Sequence, residues 1–254
     1  MKKVSLEQAK KISYIYSPLK TSEDLSNCLF SILSQKDYSQ LDERNIRREV
    51  TSLLYSYYPN EASIKSAFLN KKLFNSTQHV VCFEMPVGTS RADLCKVGKY
   101  STVYEIKTDL DNLNRLEKQL SDYQKVFDYT YVICSEKRYP YLQEHISNDI
   151  GIYTYSQTKN GDYKFALANE AVLSKSQDCE YQLSLLNKRE KLYYAKLCDI
   201  NAKCTPSTND LFKQILRERY LPSWLFLQQN RSRIFNIDYQ FFFKNNIDPD
   251  KIYL

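Results

Sequence analysis

The residues best suited to chemistry lie in "TSRADLCKVGKYSTVYEIKTDLDNL", Thr89 to Leu113, where Asp93, Glu105 and Lys107 interrupt two otherwise apolar stretches. Two carboxylates and an ammonium can neutralise one another, or they can hold a hard cation beside a group that stabilises developing negative charge. The choice turns on which of them share a face. Glu105 and Lys107 are two apart, so in a strand they project to the same side. A three-residue loop at Gly98, Lys99 and Tyr100 pairs Val97 with Ser101 and sets Asp93 opposite Glu105. In that register Arg91, Asp93, Glu105 and Lys107 share one face, and Ala92, Leu94, Tyr104 and Ile106 share the other. One outcome is a pair of cross-strand ion pairs on a solvated face. The other is a metal site, because opposed carboxylates repel until a divalent cation reverses the sign of their interaction.

Other elements must hold these strands in place. Thr21 and Asp24 form a capping-box pattern ahead of Leu25, Cys28, Leu29 and Ile32 at helical spacing. Ser39 and Asp42 repeat the box, and Ile46, Val50, Leu53 and Tyr57 carry one apolar stripe to a stop at Pro59, with Glu43, Arg47 and Arg48 on the opposite face. The period then changes. "HVVCFEMPV", "RADLCKV" and "STVYEIKT" read as strands, followed by a helix from Asp111, its N-cap, to about Phe127, an apolar strand "YTYVIC" and a further strand "GIYTY". On that helix Arg115, Gln119 and Tyr123 recur every four residues as a polar stripe, and Leu113, Leu116, Leu120 and Phe127 form the apolar one. The polar stripe faces either water or the chemistry.

Composition removes several function classes. Only four glycines occur in 254 residues, too scattered for a phosphate-cradling loop or a dinucleotide fingerprint. The seven cysteines contain no CxxC pair, and Cys82, Cys95 and Cys134 fall in apolar strand-like runs, which argues against both a disulfide framework and a zinc ribbon. His79 and His145 are far apart and read as structural. No apolar run reaches the roughly 18 residues of a bilayer span, and "MKKVSLEQAKKISYIY" lacks the unbroken apolar core of a signal peptide, so a soluble cytoplasmic protein is expected, with no membrane partner. From Asn187 to Arg233 ten Lys or Arg face four acids, an excess equal to the whole net charge of +6. Ser207 and Asp210 look like a capping box for a helix carrying Lys213, Arg217 and Arg219 beside Leu211, Ile215 and Leu216. Such a segment suits sequence-independent phosphate contact, or else packs its aromatics inward behind a solvated charged face.

Asp93, then Glu105-Ile106-Lys107, then a helix bearing Gln119 and Tyr123 resembles the PD-(D/E)XK nuclease superfamily, and "QLSDY" resembles the QxxxY element of its RecB-like branch, which also contains Holliday-junction resolvases. With "RADLCKV", "YEIKTDLDNLNRLEKQLSDYQKVFDYTYVI" and "ERNIR", the chain is similar to a small bacterial family over roughly Asp42 to Tyr155. The proline of the superfamily name is absent, Arg91 and Ala92 standing before Asp93. The resemblance implies an α/β (α+β) fold with a restriction-endonuclease-like core of helix, three strands, helix and strand. It also implies a metal set of Asp93, Glu105, the Ile106 carbonyl and Glu43 around Mg²⁺ or Mn²⁺, with Lys107 orienting the attacking water or stabilising the transition state. Gln119 and Tyr123 join the catalytic group, while Arg91, Arg115, Lys213, Arg217 and Arg219 are the expected nucleic-acid contacts. Glu84 ranks below Glu43, as a metal neighbour or a partner for Arg91.

The expected organisation is a helical extension over 1–40, the nuclease-like core over 41–168 and a basic helical subdomain over 169–254. The expected activity is metal-dependent phosphodiester hydrolysis, on DNA more than RNA, with room for a homodimer or a protein partner. The alternative is a catalytically silent module that binds nucleic acid or a partner on the same fold.

Overall fold

A computed structural model describes residues 4–74, 78–197 and 206–253, the side chains of 206 and 207 excepted. Asp199 and Lys203, two of the charges counted between Asn187 and Arg233, and the side chain of Ser207, expected in a capping box, lie outside the described residues. By internal contacts the chain forms two compact units: Met1–Leu69, Gln157–Lys164 and Leu225–Leu254 make one, and Asn70–Ser156 with Phe165–Trp224 make the other. The three consecutive segments expected from the sequence are therefore not the structural units. The last thirty residues return to the N-terminal helices, as when Tyr16 donates to Asp238 across 2.8 Å.

The first unit is helical. Helices α1 (Leu6–Ile15), α2 (Ser22–Ile32), α3 (Gln35–Tyr38), α4 (Ile46–Tyr57) and α5 (Glu61–Phe68) precede the sheet. Thr21 caps α2 as expected, accepting from the Asp24 amide. The Ser39 box does not form: Ser34 caps α3, and Asp42 caps a 3-10 turn, Glu43–Asn45, that leads into α4. Ala9, Ile12, Leu25, Leu29, Ile46, Val50 and Leu53 meet in one core. Arg47, expected on an outward face, is buried instead and donates to the carbonyls of Pro18 and Lys20. A helical period marks a stripe but not what packs on the opposite one.

The second unit is built on a six-stranded mixed sheet in simple sequential order, β1 (Val80–Val87), β2 (Ser90–Val97), β3 (Ser101–Lys107), β4 (Tyr129–Ser135), β5 (Gly151–Gln157) and β6 (Tyr163–Asn169). The β1–β2 and β2–β3 pairs are antiparallel; β3–β4 and β4–β5 are parallel, as crossover connections require. Pro86 is tolerated because β1 is an edge strand. A two-residue turn at Gly88 and Thr89 joins β1 to β2; Gly88 has φ +60, and a Cβ there would meet the Tyr181 hydroxyl at 1.9 Å. Val97 pairs with Ser101, the register expected from the three-residue loop. Helix α6 (Leu116–Gln124) crosses from β3 to β4, packing on β2 and β4, and α7 (Tyr139–His145) leads to β5.

After β6 come α8 (Cys179–Ser184), α9 (Lys188–Leu197), α10 (Pro206–Asn230), α11 (Tyr239–Asn245) and α12 (Pro249–Ile252). No described helix is long and apolar enough to cross a membrane. Cys82, Cys95 and Cys134 are buried and unpaired, the small-hydrophobe role expected of them.

Candidate metal centre

Asp93, Glu105 and Lys107 are not on a solvated face, although Arg91 is exposed. Strand β3 is buried along both sides, with Glu105 2% and Asp93 7% exposed, so the surface ion-pair alternative fails on burial. Charges so placed are costly unless every one is hydrogen-bonded. The β2–β3 ladder closes at Leu94 and Tyr104, one step before Asp93. There the Asp93 side chain replaces a main-chain acceptor, taking the Ile106 N–H on Oδ2 at 2.7 Å. That bond splits the two strands and holds the carboxylate beside β3.

Glu105 is gripped by three donors. Lys107 Nζ (2.7 Å) and Gln119 Nε2 (2.6 Å) both reach Oε1, and the Tyr123 hydroxyl reaches Oε2 at 2.7 Å. Lys107 also donates to Gln119 Oε1 at 2.9 Å, so Glu105, Lys107 and Gln119 form a closed triangle with the amide orientation decided by its neighbours. Lys107 is only 12% exposed and tied on both sides. Tyr123 has a second acceptor, the Arg91 carbonyl at 2.9 Å. Burial, then the charges of Glu105 and Asp93, push its phenol far above the ordinary tyrosine range, keeping it a neutral donor.

The α6 stripe divides. Gln119 and Tyr123 enter the site, one turn apart on a helix that begins only at Leu116. Arg115 is the cap residue and is exposed. Asp111 does not cap α6; its carboxylate closes a turn on the Thr108 amide and hydroxyl, each at 2.8 Å. A short acidic side chain with a Thr three residues upstream finds local donors before the helix begins.

Glu84, expected as a metal neighbour or a partner for Arg91, does pair with Arg91 and also lies beside Asp93. It lies mid-strand with φ +54, and the β1–β2 ladder pairs Phe83 with Leu94 and Met85 with Ala92 while passing over Glu84 and Asp93. Its carboxylate lies within 4.8 Å of that of Asp93, and Arg91 Nε meets it at 2.5 Å. The available signal was the register, which sets residue 84 opposite residue 93 once the Gly88 turn is placed. Glu43 is exposed on its 3-10 turn in the helical unit, while Asp93, Glu105 and Lys107 all belong to the sheet unit.

The donor set fits a hard divalent cation. Carboxylate oxygens bind Mg²⁺ or Mn²⁺ at roughly 2.0–2.2 Å, so two ligands of one ion stand up to about 4.4 Å apart, the scale of the Glu84–Asp93 separation.

The expected phosphate-binding cations separate as well. Lys213 is buried, bridging Asp128 (3.3 Å) and Asp210 (2.8 Å) and donating to the Lys99 carbonyl at 2.9 Å. Asp128 is a hub. Burial opposes its ionisation, but the Ser101 amide, Gln177, Asn209 and Lys213 outweigh burial and hold it below the usual carboxylate range. Arg219 is half-buried, clamped on both Glu190 oxygens and the Leu185 carbonyl. Both are structural, contrary to expectation, because each is taken by a carboxylate within the fold, Asp128 for Lys213 and Glu190 for Arg219. Arg217 is exposed, as are Lys188, Arg189, Lys191 and Lys196 on α9. His79 and His145 have the structural roles expected, His79 against the Leu73 carbonyl and His145 stacked on Tyr141.

A solved structure, the SPO1766 protein of unknown function from Silicibacter pomeroyi, matches 61% of this chain and 82% of its own at 11% identity, with a TM-score of 0.35. Protein cII of Enterobacteria phage P4 is 30% identical over 77 residues, a stretch covering 30% of this chain and 29% of that protein. The chain thus spans less than a third of that relative. The model of the Bacteriophage P4 protein cII family matches residues 56–234, which include every member of the Asp93–Tyr123 constellation and most of the 254 residues. The chain belongs to the bacteriophage P4 protein cII family.

Proposed function

We propose that the protein is a metal-dependent nuclease hydrolysing phosphodiester bonds, DNA being the preferred substrate, on a restriction-endonuclease-like core. One observation carries this reading: Asp93, Glu105, Lys107, Gln119 and Tyr123, drawn from two strands and the following helix, converge in one buried hydrogen-bonded group. A bound Mg²⁺ or Mn²⁺ would polarise the scissile phosphate and activate water. Asp93 and Glu84 would hold it. Asp93 is aimed by the Ile106 amide, and Glu105 is oriented by Lys107, Gln119 and Tyr123. Lys107 supplies a fixed positive charge where negative charge builds up.

A second reading has its own support. The triangle of Glu105, Lys107 and Gln119 is internally satisfied, as a polar core in a silent nucleic-acid-binding or partner-binding protein would be. Incubation of the purified protein with plasmid, linear duplex and single-stranded DNA and with RNA, in Mg²⁺, Mn²⁺ or EDTA, decides between them. Metal-dependent cleavage abolished by Lys107→Ala supports the nuclease; binding without cleavage under every condition supports the silent module.

A further inference from the structure

We propose that Arg91 is a built-in counter-ion of the metal centre: it competes with the divalent cation for Glu84 and is released toward phosphate when the cation enters. The proposal rests on the nuclease reading and assigns that site a coupling between metal and substrate.

The Arg91–Glu84 pair is asymmetric. The Glu84 side chain is 6% exposed and sits on a backbone at φ +54, a conformation rare for residues other than glycine. The Arg91 side chain, on the other end of the same 2.5 Å contact, is 70% exposed. The acid is anchored, and the cation can leave with little change in its hydration. Lys107 cannot play that part, since it is 12% exposed and bound to both Glu105 and Gln119. Apart from Glu84, Arg91 is held through its backbone: it pairs with Pro86, and its carbonyl accepts from Tyr123. A guanidinium that lets go of Glu84 therefore stays beside the site.

Electrostatics gives the direction. Glu84 and Asp93, with carboxylates within 4.8 Å, attract a divalent ion more strongly than a singly charged guanidinium. Arg presents a planar fork that matches phosphate oxygens, so its release adds a substrate contact at the moment the metal is in place. Metal and nucleic acid should then bind with positive coupling, reciprocal by thermodynamic necessity.

The test titrates Mn²⁺ into the full chain by calorimetry, for the wild type, Arg91→Ala, Arg91→Gln, Glu84→Gln and Asp93→Asn. Both Arg91 variants should bind Mn²⁺ about tenfold more tightly, having lost the competitor, while Glu84→Gln and Asp93→Asn bind more weakly. The gain in affinity for a short duplex on adding Ca²⁺ should shrink several-fold in Arg91→Ala. Wild-type or weaker Mn²⁺ affinity in both Arg91 variants overturns the proposal. If Mn²⁺ binding depends on Asp93 and tightens without Arg91 while no nucleic acid is cut, the competition stands and the nuclease reading falls. Mn²⁺ binding in no variant overturns both.

Discussion

Tyr123 donates to Glu105 Oε2 at 2.7 Å from a fully buried ring, joining the last turn of α6 to the middle of the sheet. The same hydroxyl lies 2.9 Å from the Arg91 carbonyl, so one helix residue ties β2 to β3 at the point where their ladder stops. Tyr123 is thus a positioning residue for Glu105 as well as a core aromatic. Tyr123→Phe keeps the ring and removes the donor, and should cost about 2 kcal/mol of unfolding free energy, because a buried charged acceptor loses a partner. Urea denaturation measures it; a loss below about 0.5 kcal/mol would mean the hydroxyl contributes only packing.

If Glu105 and Lys107 act on the chemical step, Glu105→Ala and Lys107→Ala should each lower single-turnover cleavage by on the order of a hundredfold, with DNA affinity nearly unchanged. Equal losses in affinity and rate would move these residues from chemistry to binding.

Metal linkage gives a readout independent of cleavage. Glu84 and Asp93 repel one another until a cation arrives, so millimolar Mn²⁺ should raise the wild-type Tm, and Asp93→Asn should reduce that rise. Identical shifts in both proteins would place the ion elsewhere.

The cations of the C-terminal half should fail in different assays. Lys213→Ala leaves Asp128 buried and short of a partner, and should cost about 3 kcal/mol of stability while sparing DNA affinity. Replacing the exposed Lys188, Arg189 and Lys191 jointly by Gln should leave stability intact and flatten the log-affinity against log-salt slope by roughly two to three. The reverse pattern would restore α10 as the phosphate-binding face.

Asp238 predicts a pH dependence in the helical unit. Burial pushes its carboxyl up to about 6, against the hydrogen bonds from Tyr253 and Tyr16 and the charge of Arg47, which pull it down. A native pKa raised above the unfolded value of 3.8 means that the folded state binds the proton more tightly. Its contribution is therefore full below about pH 4, falls as pH rises through 6 and is constant above, a total on the order of 2–3 kcal/mol. Compared with the wild type, Asp238→Asn should lose that fall between pH 4 and 7; parallel stability curves would show that Asp238 titrates normally.

Much of the candidate site was legible because it is local. A three-residue loop fixes the β2–β3 register, a period of two puts Glu105 and Lys107 on one face, and a period near four aligns Gln119 with Tyr123. These follow from covalent geometry over a few residues. Asp111 shows where local reading stops: its carboxylate had two sets of donors within reach, and the Thr108 turn took it instead of the α6 amides.

By itself the sequence determined five of the six strands, β6 being missed, the hairpin register, the order of helix and sheet around Asp93 and Glu105, and the absence of a glycine-rich phosphate loop. Tertiary structure alone decided which charges are spent inside. Lys213, Arg219 and Arg47 look the same in sequence as Arg217 and Lys188, yet the first three are consumed by Asp128, Glu190 and two backbone carbonyls. It also set Glu84 beside Asp93 and Arg91, on a left-handed backbone in mid-strand, and brought Asp238 of the C-terminal segment to Tyr16 of the first helices. The physical reason is range: periodicity records which residues share a face, but the cost of burying a charge depends on a partner that can lie a hundred residues away and that only the packed chain supplies.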